Sequence, residues 1–204
     1  MATAPDGTTF AVAANIGLAR GTLWRIDTTM PALSTMVAQL ENATGTSYMS
    51  ISGLAFRGST LFGLVGDGAD ANGLDNELVT INTSTGLVTA IGAAAFNDYA
   101  GNGIAFDSAG TLYATSYDTG VNQFARLNPS TGAIVTTTAQ QLVSTSGGAS
   151  VKSLMFVGST LLGLEVERSA AGARLVSIDR VTATNTAVGL STLPPKLAAT
   201  TFAP

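Results

Sequence analysis

The stretch from Gly66 to Glu77 holds four carboxylates and two asparagines within twelve residues. Asp67, Asp70, Asn72 and Asp75 offer the hard oxygen ligands that Ca²⁺ takes. Their spacing is not that of an EF-hand loop: counted from Asp67, the third ligand position falls on Ala69. The same composition also makes an exposed acidic turn, in which Asx side chains and glycine serve the backbone. The turn is the plainer expectation, with a Ca²⁺ site as its alternative.

A second group combines aromatic and acidic residues: Tyr48, Asp98, Tyr99, Tyr117 and Asp118. Tyrosine rings stack on a sugar or peptide while Asp and Asn fix its polar groups, so these five residues are candidates for ligand binding. The competing expectation is that they are turn residues and aromatic edges packed between repeats. Glu165 and Glu167 flank Val166, and on a strand residues i and i+2 share a face. A hydrolase working with carboxylates alone needs two such groups about 5–9 Å apart across a pocket. Two exposed strand-end glutamates beside Arg168 are the simpler expectation.

The chain has no histidine, which removes the commonest general base and every Ser–His or Cys–His nucleophile pair. It has no cysteine, so disulfides and thiolate metal sites are excluded. No phosphate-cradling glycine loop leads into a helix. The net charge is −4 and the nine cations are scattered. A nucleic-acid partner therefore lacks its basic footprint. No apolar run approaches the ~18 residues of a membrane helix, and the N-terminal residues do not read as a signal peptide. A chain of 204 residues with 11% charged side chains is expected to bury one core and to touch something else through a sparsely charged surface.

The elements that must position these residues follow from an internal repeat. Leu54-Ala55-Phe56 returns as Ile104-Ala105-Phe106, Leu154-Met155-Phe156 and Thr200-Thr201-Phe202, so the anchor phenylalanines stand 50, 50 and 46 residues apart. That is the blade length of a four-stranded propeller repeat. After each of the first three anchors a tight turn leads to Thr60-Leu61-Phe62, Thr111-Leu112-Tyr113 or Thr160-Leu161-Leu162, and Thr8-Thr9-Phe10 supplies the fourth such strand. The third strands end in Asp27, Asn82, Asn128 and Asp179. Turns such as Asn82-Thr83-Ser84-Thr85-Gly86 follow, where an Asx side chain and a glycine of positive φ close a hairpin. The fourth strands are expected at Leu33–Leu40, Leu87–Gly92, Ala133–Ala139 and Asn185–Leu190. No stretch shows helical spacing.

The expected fold is a single all-β domain over residues 1–204. It is a four-bladed β-propeller with four antiparallel strands per blade, and the blades fall near 197–204 plus 1–40, 51–92, 102–139 and 151–190. Leu197–Phe202 is expected to supply the first strand of the first blade, so that the N- and C-terminal segments pair and close the ring.

Gly53-Leu54-Ala55-Phe56, Gly58-Ser59-Thr60-Leu61-Phe62-Gly63 and the run from Leu78 to Thr89 resemble the GLAF–TLYG–LYRID–TG repeat of bacterial secreted β-propellers of unknown function. Nearly the whole chain carries the pattern. The four-blade count is shared with hemopexin-like domains, whose cysteine closure is absent here. The resemblance implies an extracellular or envelope-associated binding or scaffolding role and brings no catalytic residue across. The expectation is therefore a non-catalytic structural or protein-docking module within a larger assembly. The alternatives are a carbohydrate- or small-ligand-binding propeller and, further off, a carboxylate-dependent hydrolase. A monomer is expected, with a strand-exchanged dimer as the other arrangement.

Overall fold

A computed structural model of the chain describes residues 1–13, 20–66, 77–93, 101–118, 121–135, 140–142, 149–167 and 173–188. It is an all-β, four-bladed β-propeller. Blade one comprises β1 (Ala2–Thr3), β2 (Thr9–Ala13), β3 (Thr22–Ile26) and β4 (Thr35–Gln39), and blade two β5 (Ile51–Arg57), β6 (Thr60–Val65), β7 (Glu77–Ile81) and β8 (Val88–Ala93). Blade three comprises β9 (Gly101–Phe106), β10 (Leu112–Asp118), β11 (Val121–Leu127) and β12 (Gln140–Gln141), and blade four β13 (Ala149–Val157), β14 (Thr160–Glu167), β15 (Ala173–Ile178) and β16 (Asn185–Ala187). Each blade is an antiparallel meander in chain order. First strands of successive blades lie side by side, β1 by β5, β5 by β9 and β9 by β13.

Alternation decides which residues enter which seam. In β7, Leu78 packs toward blade three while Val79 packs toward blade one. One apolar cluster fills each of the first three seams. An aromatic pair anchors each: Phe10–Phe56, Phe62–Phe106 and Tyr113–Phe156, with ring centroids 6.0, 5.0 and 5.6 Å apart. The repeated phenylalanine is thus the residue that blades two, three and four each present to the second strand of the blade before. Seam contact is close enough at Gly103 that a Cβ there would meet the Leu154 backbone nitrogen at 2.7 Å.

The hairpins between third and fourth strands form as their sequences predict. Asn82 Oδ1 accepts the N–H groups of Ser84 and Thr85, and Gly86 takes φ +73°. Asp179 accepts the N–H groups of Val181 and Thr182 in the same way, but Ala183 stands where glycine is expected and adopts φ +53°. Its methyl group is fully buried in the seam between blades three and four, which offsets part of the cost of the left-handed conformation.

Two strand assignments differ from expectation. The strand beside β2 is Ala2–Thr3, with Ala2 opposite Phe10 and Thr3 opposite Thr9, where Leu197–Phe202 was expected. The turn explains it. Ala4 N–H bonds to Thr8 O and Gly7 N–H to Ala4 O, repeating the bonds of Asp107 with Thr111 and of Gly110 with Asp107 in blade three. A four-residue turn closes at far smaller entropic cost than a loop spanning the whole chain. Leu197–Phe202 itself lies outside the described residues. In blade three the described outer strand is Gln140–Gln141; of the expected Ala133–Ala139, residues 136–139 lie outside the described residues. Ile134 keeps only an isolated bridge to Leu127, while pairing resumes at Phe124 and Gln123, opposite Gln140 and Gln141.

Candidate functional site

An antiparallel meander gives every blade two ends. The connections between strands one and two and between strands three and four share one end, here the turn end. The connections between strands two and three, and from blade to blade, share the other, the loop end.

The loop end holds Tyr48, Tyr117 and Asp118, the candidate ligand-binding residues that are described. Tyr48 is buried in the seam between blades one and two, and its hydroxyl donates to Glu77 Oε2 at 3.2 Å. Burial, with Glu77's charge and hydrogen bond added, pushes its pKa up to about 12. Its ring is therefore core rather than a stacking platform, a correction to the ligand-binding expectation. Tyr117 is half-buried in a different seam, with Lys152 Nζ 5.5 Å from its ring centroid. A β-bulge at Lys152, between Val151 and Ser153, aims that side chain, as bulges commonly do. Asp118 closes β10 opposite Val121. Asp98, Tyr99 and the acidic segment with Asp67, Asp70, Asn72 and Asp75 lie outside the described residues. Tyr48 and Tyr117 are not brought into one site.

Glu165 is not an exposed strand-end carboxylate. It is fully buried, accepting from Arg174 Nε at 2.5 Å and from Asn185 Nδ2 at 2.9 Å. Beside it, Asn122 Oδ1 accepts the Val151 N–H at 3.1 Å and Thr115 donates to Val151 O at 3.2 Å. These bonds join blade three to blade four. A carboxylate so engaged is a structural acceptor.

The turn end carries what sequence reasoning missed. A cavity of about 720 Å³ opens in the seam between blades one and two, over Phe10 and Phe56. Asp6, Arg25, Met36, Val37 and Thr83 form its walls. Asp6, Thr8, Arg25 and Thr35 also border a second cavity of about 490 Å³, which Leu33 lines. Arg25 lies directly across from Phe10 on β2 and from Thr35 on β4. Asp6 Oδ1 accepts the Thr8 N–H at 2.8 Å; that bond, the Thr8 hydroxyl and Arg25's charge hold its carboxyl below the usual range. The adjoining turn is apolar: Met30 precedes and Leu33 ends a 3₁₀ turn at Pro31–Leu33, Met36 follows on β4, and the three are 58, 58 and 55% exposed; Met36 lines the first cavity and Leu33 the second.

The other two seams show why a cavity remains here. Arg180 Nη1 lies 3.3 Å from Asp107 Oδ2, and its guanidinium sits over Tyr113 and Phe156 at 5.8 and 5.7 Å. Arg57 sits over Phe106 at 5.9 Å. Arg180 directly follows Asp179 in its turn, and the residue that follows Asn82 is Thr83, too short to reach Phe10 and Phe56. The aligned turns give the two residue types, and only the structure shows that Arg180 reaches across its seam.

Comparison with known protein families and with characterised proteins finds no match. Solved structures do resemble the chain. The Dos1 propeller shares 16% identity at a TM-score of 0.52, over 94% of this chain and 50% of its own. A hydrazine synthase chain of Kuenenia stuttgartiensis shares 12% at 0.51, over 92% and 48%. An α-L-arabinofuranosidase of Clostridium thermocellum shares 10% at 0.59, over 92% and 67%. The chain thus spans about half the length of the first two. At these identities the likeness is one of fold, and it places the chain among β-propellers without assigning it an activity.

Proposed function

We propose that this propeller is a non-catalytic docking module that engages a partner protein at the turn end of blades one and two. The observation that carries the reading is Met36, 55% exposed, on the wall of an open groove that Phe10 and Phe56 also line, with exposed Leu33 on the adjoining cavity. Soluble surfaces seldom cluster large apolar side chains around a concavity without a partner. The state of the carboxylates supports the absence of catalysis. Asp6, Asp27, Glu41, Glu77, Asp107, Glu165 and Asp179, the acidic side chains described, each accept a hydrogen bond that holds a turn or seam together. The four aspartates are all acidified, the opposite of what a general acid needs.

A photoreactive residue in place of Met36 tests the reading in extract of the source cells. A discrete protein adduct is expected there and not from Val181, which is 80% exposed on blade four. Equal labelling from both positions, or none from Met36, refutes it. The cavity volume also suits a small ligand, and the mixture of Arg25, threonine hydroxyls and phenylalanine keeps a carbohydrate as the second reading. A glycan that raises the melting temperature of wild type but not of Arg25→Ala would favour it.

A further inference from the structure

We infer that the groove between blades one and two receives an arginine side chain from the docking partner, laid over Phe10 and Phe56 with its guanidinium toward Asp6. The inference rests on the docking reading and adds the chemistry of the contact.

The molecule carries an internal template for such a contact. In the seam between blades three and four, Tyr113 and Phe156 stand where Phe10 and Phe56 stand, and Arg126 lies opposite Tyr113 as Arg25 lies opposite Phe10. That seam is completed by a guanidinium, Arg180, over both rings and beside a carboxylate. The seam between blades two and three also carries a guanidinium, Arg57 over Phe106. Among the described residues none lies over Phe10–Phe56, and the cavity takes its place. Aromatic faces attract a cation through their quadrupole, most strongly when water is excluded.

Two features of the groove bear on the sign of the charge. Arg25 lines it and would repel a second cation, but Arg126 occupies the same register position in the seam that Arg180 completes, so the template tolerates both. Asp6 supplies the anion. It sits two residues beyond Ala4, which is the position of Asp107 in the matching turn, so the carboxylate reaches the groove from the turn's crest. The planar guanidinium stacks on rings and pairs with a carboxylate at once, which an ammonium does less well.

The probe is the peptide Ac-Gly-Arg-Gly-NH₂ with its citrulline and lysine counterparts, titrated into the full chain and followed by the ring resonances of Phe10 and Phe56. The arginine peptide is expected to bind about tenfold more tightly than the citrulline peptide, with lysine between them. Asp6→Asn should weaken arginine binding several-fold, and Thr83→Arg, which supplies the guanidinium in cis, should abolish it. Equal binding of arginine and citrulline, no shift at either ring, or full binding by the Thr83→Arg variant overturns the inference. A specific adduct from position 36 together with any of these results leaves the docking reading standing and removes only the arginine.

Discussion

The seam between blades one and two and the seam between blades three and four start from the same aromatic pair and are finished with different chemistry at both ends. At the loop end, the first seam has fully buried Val65 where the other has fully buried Glu165 at the equivalent strand position. Val65 completes an apolar cluster with Tyr48 and Ile51, whereas Glu165 requires Arg174 and Asn185 to satisfy it. At the turn end, Arg180 closes one seam and Thr83 leaves the other open. A repeat protein thus provides its own control. Where copies agree, the residue serves the ring; where one copy departs, the difference reports either a locally re-solved packing problem or a surface left for something else. The loop-end difference is of the first kind because every polar atom of Glu165 finds a partner. The turn-end difference is of the second kind because an open groove, walled by exposed Met36, stands where the other seam has Arg180.

The largest expected effect tests the loop-end half of that comparison. Glu165→Ala removes the buried acceptor that Arg174 and Asn185 share and should cost about 3 kcal/mol, read by urea unfolding. Replacing both members of the pair, Glu165→Val with Arg174→Leu, removes the two charges together and should recover part of the loss, since an apolar replacement of a buried ion pair is often neutral while Asn185 still loses its Glu165 acceptor. If the double variant is no better than the single, the two seams are not alternative solutions to one packing problem.

The turn-end half is tested by exchanging its distinguishing residue. Arg180→Ala removes a guanidinium from two rings and a pair whose arginine is 38% exposed. A loss of about 1 kcal/mol is expected, most of it from the rings rather than the screened ion pair. Thr83→Arg should do the reverse in the first seam, raising stability by at most about 1 kcal/mol and filling the cavity. A Thr83→Arg variant whose Phe10 and Phe56 resonances match wild type would show that the seams differ by more than this one position.

Much of the fold was legible because its signals are local and repeated: the anchor phenylalanines at fixed spacing, and Asx–glycine turns that set register within a few residues. The first strand of blade one was not. Ala2–Thr3 is too short to alternate, and Thr3 occupies the anchor position, while Phe202 carries the anchor's spelling at the other terminus. Glu165 was misplaced because its partners, Arg174 and Asn185, are 9 and 20 residues away, and a spacing of two on a strand says nothing about them. The groove depends on a tertiary fact, that Arg180 turns back across its seam, which the aligned turns alone do not reveal.

The smallest effect concerns a single proton in the apolar seam. Tyr48 has its pKa raised from 10 to about 12 by burial and by Glu77, so the protonated phenol is the form the fold stabilises. Its contribution is fully present below pH 10 and is lost as pH rises through about 12. Of the chain's four tyrosines, absorbance at 295 nm should show one component titrating late, and Tyr48→Phe should delete that component alone. The same substitution leaves Glu77 without the hydroxyl, and near neutral pH a loss of about 1 kcal/mol is expected. Should the late component survive in Tyr48→Phe, the phenol would not be the buried proton of this seam. The contrast with the ionic solution around Glu165 would then have to rest on Val65 and Ile51 without it.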